Sequence, residues 1–263
     1  MGSKIPGVIS KKEGLFIFLF LDSFVIIQLY FCKGVIFMLA YGKNVLMMSN
    51  PAKIKKVYLS KTRKDQELIT FLKENKIHYV LTENSVLSKM VQGNHQGIVF
   101  EMNDFEYHDL KSIYQDSFVV VLDHLEDPHN FGAIIRTCEA AGVKAIIIPK
   151  DRSVHVNETV LKTSVGCADY VKIVLVSNIA DAISKLQENG FFVYGTDMNG
   201  EDIRTLDFPL KKAVVIGNEG KGISKVVEKK CDVILSIPML GEVNSLNASV
   251  AAGIVIFKMG GLS

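Results

Sequence analysis

From residue 118 onward the chain alternates short runs rich in Val and Ile with longer stretches whose apolar residues recur every three or four positions. The runs read as strands at 118–123, 144–149, 171–175, 191–196, 212–217 and 233–237. The longer stretches read as helices near 131–141, 178–189, 222–230 and 246–259. Strands apolar on both faces, with polar helices between them, predict a parallel sheet covered on both sides. Upstream, a smaller α/β unit is expected: a strand at 56–60, a helix at 65–75, a strand at 77–81, and a short helix at 84–90 opening at Asn84 or Ser85. A glycine-bounded turn, Gly93 to Gly97, leads into a strand at 98–101. The acidic, irregular stretch 103–116 is the expected linker.

The first forty residues break this pattern. Residues 15–31 are almost wholly apolar, and with 34–40 added the run is long enough to span a bilayer. Lys4, Lys11 and Lys12 precede it, as before a signal peptide or anchor. Against this, Asp22 sits mid-run, where a charge is costly in lipid. No small-x-small cleavage site follows, and Cys32 lacks the small residues that precede a lipoprotein cysteine. Met38 stands just ahead of Tyr41, where the globular pattern begins. We therefore expect 1–37 to be an apolar extension produced by a start placed too far upstream, rather than a membrane anchor. The expected divisions are 1–37, 38–112 and 113–263.

An apolar fraction of 48% with 22% charged residues excludes a disordered chain. The net charge of +2 excludes a global basic field. Charge is nevertheless uneven. Residues 1–117 hold 15 Lys+Arg against 11 Asp+Glu, and residues 118–263 hold 15 against 17. Seven basic residues and no acid lie within 43–64 (Lys43, Lys53, Lys55, Lys56, Lys61, Arg63, Lys64). Such a patch suits either phosphate contact or a solvated face. The four cysteines form no C-x-x-C and have no zinc spacing with histidine. They read as small buried residues of a reducing compartment.

The candidate chemistry lies in three polar blocks, each after a strand and before a helix: Asn130 to Arg136, Gly217 to Gly222, and Asn244 to Ser249. In open α/β sheets ligands collect at the carboxyl ends of the strands, where such blocks converge. Asn130 is a helix-cap candidate, and Arg136 lies one to two turns into the helix, able to meet an anion or to pair on the surface. The glycines at 217, 220 and 222 match neither a Walker A loop nor G-x-G-x-x-G, yet they admit close backbone approach. Glu219 would repel phosphate and suits a contact with Arg136 or a sugar hydroxyl. Asn244, Ser245 and Asn247 are neutral donors and acceptors; capping by Asn244 or Ser245 explains one of them, not three.

Together these blocks resemble the SPOUT class of RNA methyltransferases, in particular the SpoU/TrmH group of 2′-O-ribose methylating enzymes. The likeness runs from Tyr41 to Phe257 and includes 127–136, 148–153, 195–197, 217–222 and 245–253. Within the group it is closest to bacterial enzymes that methylate a guanosine of 23S rRNA. A tRNA ribose methyltransferase or a resistance-type rRNA methylase is the alternative; a catalytically silent RNA-binding protein and a membrane-anchored protein rank below both. Asn218 departs from the group's common serine. The resemblance implies an α/β knot, with a parallel sheet flanked by helices and a deep C-terminal trefoil knot, behind a small ribosomal-protein-like RNA-binding domain. It implies S-adenosylmethionine contacts at Thr196, Gly217, Ile237 and Leu246, and a catalytic group of Asn130, Arg136, Glu219, Ser245 and Asn247. It further implies an RNA substrate, a cytoplasmic homodimer with sites at the subunit interface, and no metal. The basic run and the Gly93 turn then become RNA contacts.

In such a site the ribose hydroxyl must be aimed at the methyl carbon and relieved of its proton. A guanidinium hardly deprotonates, so Arg136 is expected to hold phosphate and stabilise the developing alkoxide, with Glu219 orienting it. Asn130, Ser245 and Asn247 would orient the nucleotide. No histidine lies inside the blocks fit to be the base; His129 is adjacent and stays open.

Overall fold

The computed structural model of the chain describes residues 15–17, 29–32, 35–242 and 245–261. Two compact units divide between Phe105 and Glu106.

The first unit carries β1 (Leu15–Ile17), β2 (Leu29–Cys32), β3 (Val35–Tyr41), α1 (Lys43–Met48), β4 (Ile54–Ser60), α2 (Gln66–Glu74), β5 (Tyr79–Thr82), α3 (Asn84–Met90) and β6 (Ile98–Asn103). They form one sheet in the order β1-β2-β3-β6-β4-β5. The β4–β5 pair is parallel and the others are antiparallel. Asp65 starts α2 by accepting a hydrogen bond from the Leu68 amide at 3.1 Å. Strand β3 begins three residues before Met38. Its Phe37 is buried with Leu39, Tyr41, Leu87, Val91 and Val99, so core packing reaches ahead of Met38. Most of the apolar run 15–31 lies outside the described residues. Among those described, no helix is long and apolar enough to cross a membrane.

The basic run meets acids from elsewhere in the unit. Lys43 pairs with Asp65 and Glu67, Arg63 with Asp65, and Lys61 with Glu83. Lys55 and Lys56 lie over the rings of Phe37 and Tyr58. Folding thus neutralises part of a stretch that looks uniformly cationic in sequence.

The second unit carries β7 (Phe118–Asp123), α4 (Pro128–Ala140), β8 (Ala145–Pro149), α5 (Glu158–Thr163), β9 (Lys172–Val176), α6 (Ile179–Glu188), β10 (Phe192–Asp202), β11 (Lys212–Gly217), α7 (Lys225–Glu228), β12 (Val233–Ser236) and α8 (Ala248–Met259). Its six strands run in the order β12-β10-β11-β7-β8-β9. Every described pairing is parallel. All six residues of β7 are buried, as a strand covered on both faces requires.

Several expectations are corrected. Helix α4 opens at Pro128, not 131, and its cap is Asp127, which accepts from the His129 amide at 2.9 Å. Asn130 therefore lies inside the helix and does not cap it. The boundary between the units falls inside the expected linker 103–116, whose later part is packed: the His108 amide donates to the Ile173 carbonyl at 2.8 Å, and Ile113 is fully buried. Helix α7 has four residues in place of the nine expected, because Gly222 (φ +65) and Ser224 belong to the preceding loop. Helices α1 and α5 have six residues each, too few to display a period. Gly132 lets α4 press against α5, since a Cβ there would stand 2.6 Å from the Thr163 Cβ.

Candidate active site

Parallel register brings the carboxyl ends of four strands to one edge of the second unit. Thr196 pairs with Leu235, Gly195 with Val215, and Gly217 with Asp123. Gly217 thus ends β11, Ile237 follows β12, and Thr196 stands in β10 between them, at the start of its irregular stretch. Strand β10 bulges outward between Thr196 and Glu201 and then rejoins β12. The Thr196 hydroxyl is turned inward and donates to the Val215 carbonyl at 2.9 Å.

The loop after β11 is a closed clasp. The Asn218 amide donates to the Gly222 carbonyl at 3.1 Å, and the Gly222 amide donates back at 2.9 Å. A Cβ on Gly217 would lie 2.2 Å from the Gly222 carbonyl carbon and 2.3 Å from the Ile223 nitrogen. Glycine is required there because the strand end touches its own loop. A side chain would collide with loop backbone. Asn218 braces the clasp on both sides: Oδ1 accepts from the Gly220 amide and Nδ2 donates to the His124 carbonyl, each at 3.0 Å.

The first two blocks meet through one contact. Asn130 Nδ2 donates to Glu219 Oε1 at 2.7 Å. Asn130 is 7% exposed, so this bond satisfies a nearly buried amide. The expected Glu219–Arg136 contact does not form. Arg136 is exposed and makes no ion pair among the described residues. Helix geometry supplies the reason. Six residues on from Asn130 is about 240° around the helix, so Arg136 leaves α4 on another side.

In the third block Asn244 lies outside the described residues. Ser245, Leu246 and Asn247 are exposed. Asn247 caps α8, accepting from the Ser249 and Val250 amides, and so takes the role expected of Asn244 or Ser245. Leu246, Met239 and Leu240 bring exposed apolar surface beside the strand ends.

Cys138 and Cys167 are buried and Cys231 half-buried. Burial pushes all three thiols up, Cys231 to about 12, which leaves them neutral and poor nucleophiles. Among the described residues no three His, Cys, Asp or Glu side chains gather to hold a metal.

A parallel sheet bearing polar loops at its carboxyl edge, preceded by a separate small α/β unit, is the architecture of SpoU-type RNA methyltransferases. Residues 117–257 match the SpoU rRNA methylase family, and residues 39–108 match the RNA 2′-O ribose methyltransferase substrate-binding family. The chain belongs to the SpoU rRNA methylase family. It is 37% identical over 231 residues to YacO of Bacillus subtilis (strain 168), covering 83% of this chain and 93% of that one. It is 40% identical over 217 residues to a Staphylococcus aureus (strain MSSA476) protein, covering 78% and 88%. Both relatives are assigned to the TrmH family of tRNA/rRNA methyltransferases. Among solved structures, the AdoMet-bound rRNA methyltransferase from Sinorhizobium meliloti is 25% identical, with a TM-score of 0.72 over 85% of this chain and 86% of that one. AviRb from Streptomyces viridochromogenes, in complex with AdoMet, shares the fold with a TM-score of 0.73 at 22% identity, covering 85% and 89%.

Proposed function

We propose that this RNA methyltransferase moves the methyl group of S-adenosylmethionine to a ribose 2′-hydroxyl, that of a guanosine in 23S rRNA, as a cytoplasmic homodimer. The observation that carries the reading is the junction of Asn130 with Glu219 at the carboxyl edge of the sheet, beside the ends of β10, β11 and β12. The residues present suit a purine nucleoside. Leu246 and Met239 offer apolar surface, and the polar side chains at Thr196, Ser236 and Ser245 are neutral. Thr196, Gly217, Ile237 and Leu246 would hold the cofactor, with the chain around them threaded as a trefoil knot. When bound, S-adenosylmethionine supplies an electrophilic methyl group. Arg136 then holds the target phosphate and offsets charge on the attacking oxygen. Asn130, Ser245 and Asn247 orient the nucleotide, and Glu219 fixes Asn130.

Two features favour a dimer. Arg136 leaves its helix away from Glu219 of its own chain, a geometry that suits service to the site of a second copy. Helix α8 exposes Val250 and Ile254, an apolar pair at i and i+4 on one face. The first unit would grip RNA through residues 43–64 and the Gly93 turn, with exposed Lys64 and Lys55 nearest to hand.

Calorimetry with S-adenosylmethionine, followed by mapping of 2′-O-methyl sites in rRNA and tRNA from cells with and without the protein, tests the proposal. A site lost from 23S rRNA is the expected outcome. A site lost from tRNA would move the substrate to the alternative that the tRNA/rRNA assignment of the relatives keeps open. Absence of cofactor binding would overturn the reading.

A further inference from the structure

The carboxyl end of β7 holds a pair of side chains outside the three polar blocks. Asp123 is a carboxylate only 1% exposed. Its Oδ1 lies 2.6 Å from Nδ1 of His124, and its Oδ2 accepts from the Ser224 amide at 2.7 Å. Both oxygens are therefore engaged, as a buried carboxylate requires. His124 has φ +59, a left-handed backbone that few side-chain-bearing residues adopt. Its carbonyl accepts from Asn218 Nδ2. The residue is thus gripped at ring and backbone by β7 and by the clasp loop, while its orienting carboxylate is gripped by the segment leading into α7. Strained positions held from several sides collect at active sites. The next residue after Asn218 is Glu219, the partner of Asn130. The His124 side chain is 32% exposed, and Nε2 has no hydrogen-bond partner among the described residues.

We propose that His124 Nε2 is the acceptor of the ribose 2′-hydroxyl proton, with Asp123 as its positioning residue; this rests on the methyl-transfer reading above. With Nδ1–H donated to Asp123, the imidazole is held in the tautomer whose Nε2 lone pair faces outward. As the hydroxyl oxygen bonds to the methyl carbon, its proton passes to Nε2, and the methyl–sulfur bond breaks with its electron pair remaining on sulfur. The imidazolium, stabilised by Asp123, returns the proton to water. No other polar residue of the three blocks does this as well. Arg136 keeps its proton. Asn130, Ser245 and Asn247 are neutral. Glu219 has one oxygen committed to Asn130. His129 is exposed and has no carboxylate partner among the described residues; its Nδ1 lies 3.4 Å from the Thr163 hydroxyl.

The test uses the full chain labelled with 15N-histidine. Long-range 1H–15N spectra are expected to show His124 protonated at Nδ1 and free at Nε2, a preference lost in Asp123→Asn. His124→Asn retains a residue that tolerates left-handed backbone. It is expected to melt and bind S-adenosylmethionine like the parent, while single-turnover methylation falls about 10²–10⁴-fold, the worth of a general base. His129→Gln is expected to stay within about threefold of the parent. An Nε2-protonated His124, a His124→Asn enzyme slowed less than about threefold, or loss in His129→Gln instead overturns the assignment. If the parent neither binds cofactor nor methylates RNA, the functional reading fails, and the spectra still report the tautomer that the dyad imposes.

Discussion

The side-chain amide of Asn130 donates to Glu219 Oε1 at 2.7 Å, joining α4 to the clasp loop across 89 residues of chain. Removing either partner should loosen the loop that carries Gly217. Asn130→Ala is expected to cost about 1.5–3 kcal/mol, the worth of a hydrogen bond to a charged group, and to depress methylation strongly. The cycle with Glu219→Ala should show a coupling of about 0.5–3 kcal/mol by denaturant unfolding. Simple additivity would mean that the contact carries no energy.

Arg136 is exposed and unpaired among the described residues, so its role is separable from stability. Arg136→Ala is expected to unfold within about 0.5 kcal/mol of the parent, to bind S-adenosylmethionine comparably, and to lose methyl transfer. Mixed dimers carrying one Arg136→Ala chain and one Glu219→Ala chain should keep about half of the sites if Arg136 serves the partner's site, because both lesions then fall in the same site.

Gly217 stands against its own loop. Gly217→Ala places a carbon 2.2 Å from the Gly222 backbone, and overpacking of this kind costs about 1–3 kcal/mol or more. The melting temperature should fall with no ligand present, and cofactor affinity should fall with it. Weakened binding at an unchanged melting temperature would restore the simpler view that the residue only leaves room for ligand.

Acid should weaken the first unit through Asp65. The Arg63 guanidinium, then the Leu68 amide and Lys43, hold its carboxyl down at about 2, against burial that acts the other way. A carboxyl depressed on folding stabilises above its unfolded value, and that stability is lost as pH falls from about 4 through about 2. Asp65→Asn is expected to flatten the pH dependence of unfolding in that window. An unchanged slope would assign the acid sensitivity elsewhere.

Phe37 is 8% exposed and packs with Leu87, Val91 and Val99. A chain beginning at Val35 is expected to be folded and active, and more stable than one beginning at Met38, which loses the Phe37 contacts. Losing a well-buried Phe costs about 3–5 kcal/mol, and a strand end recovers part of that by relaxing. Equal melting temperatures for the two chains would mean that Phe37 adds nothing.

Local pattern alone determined much of this protein. Val/Ile runs separated by amphipathic stretches were enough for the six strands of the parallel sheet, because a strand buried on both faces leaves a continuous apolar signature in the residues themselves. The 217–222 and 245–247 blocks could be assigned to strand-to-helix junctions for the same reason. What needed the tertiary structure is everything that depends on distant partners. Asn130 was legible as a polar residue near a helix start, but Asp127 and Pro128 set the cap and left Asn130 turned toward Glu219. Glu219 looked like a partner for Arg136 until the turn of α4 carried the two apart. The cationic run at 43–64 lost its uniformity because Asp65, Glu67 and Glu83 fold back onto it. Strand β3 was hidden because an apolar run has no period to mark where a strand begins. The Asp123–His124 pair was invisible because one φ angle and one amide from residue 218 create it, and nothing in a linear pattern reports either. Periodicity records which face of an element is buried, whereas a site is made where several elements end, and only the packed chain determines which ends meet.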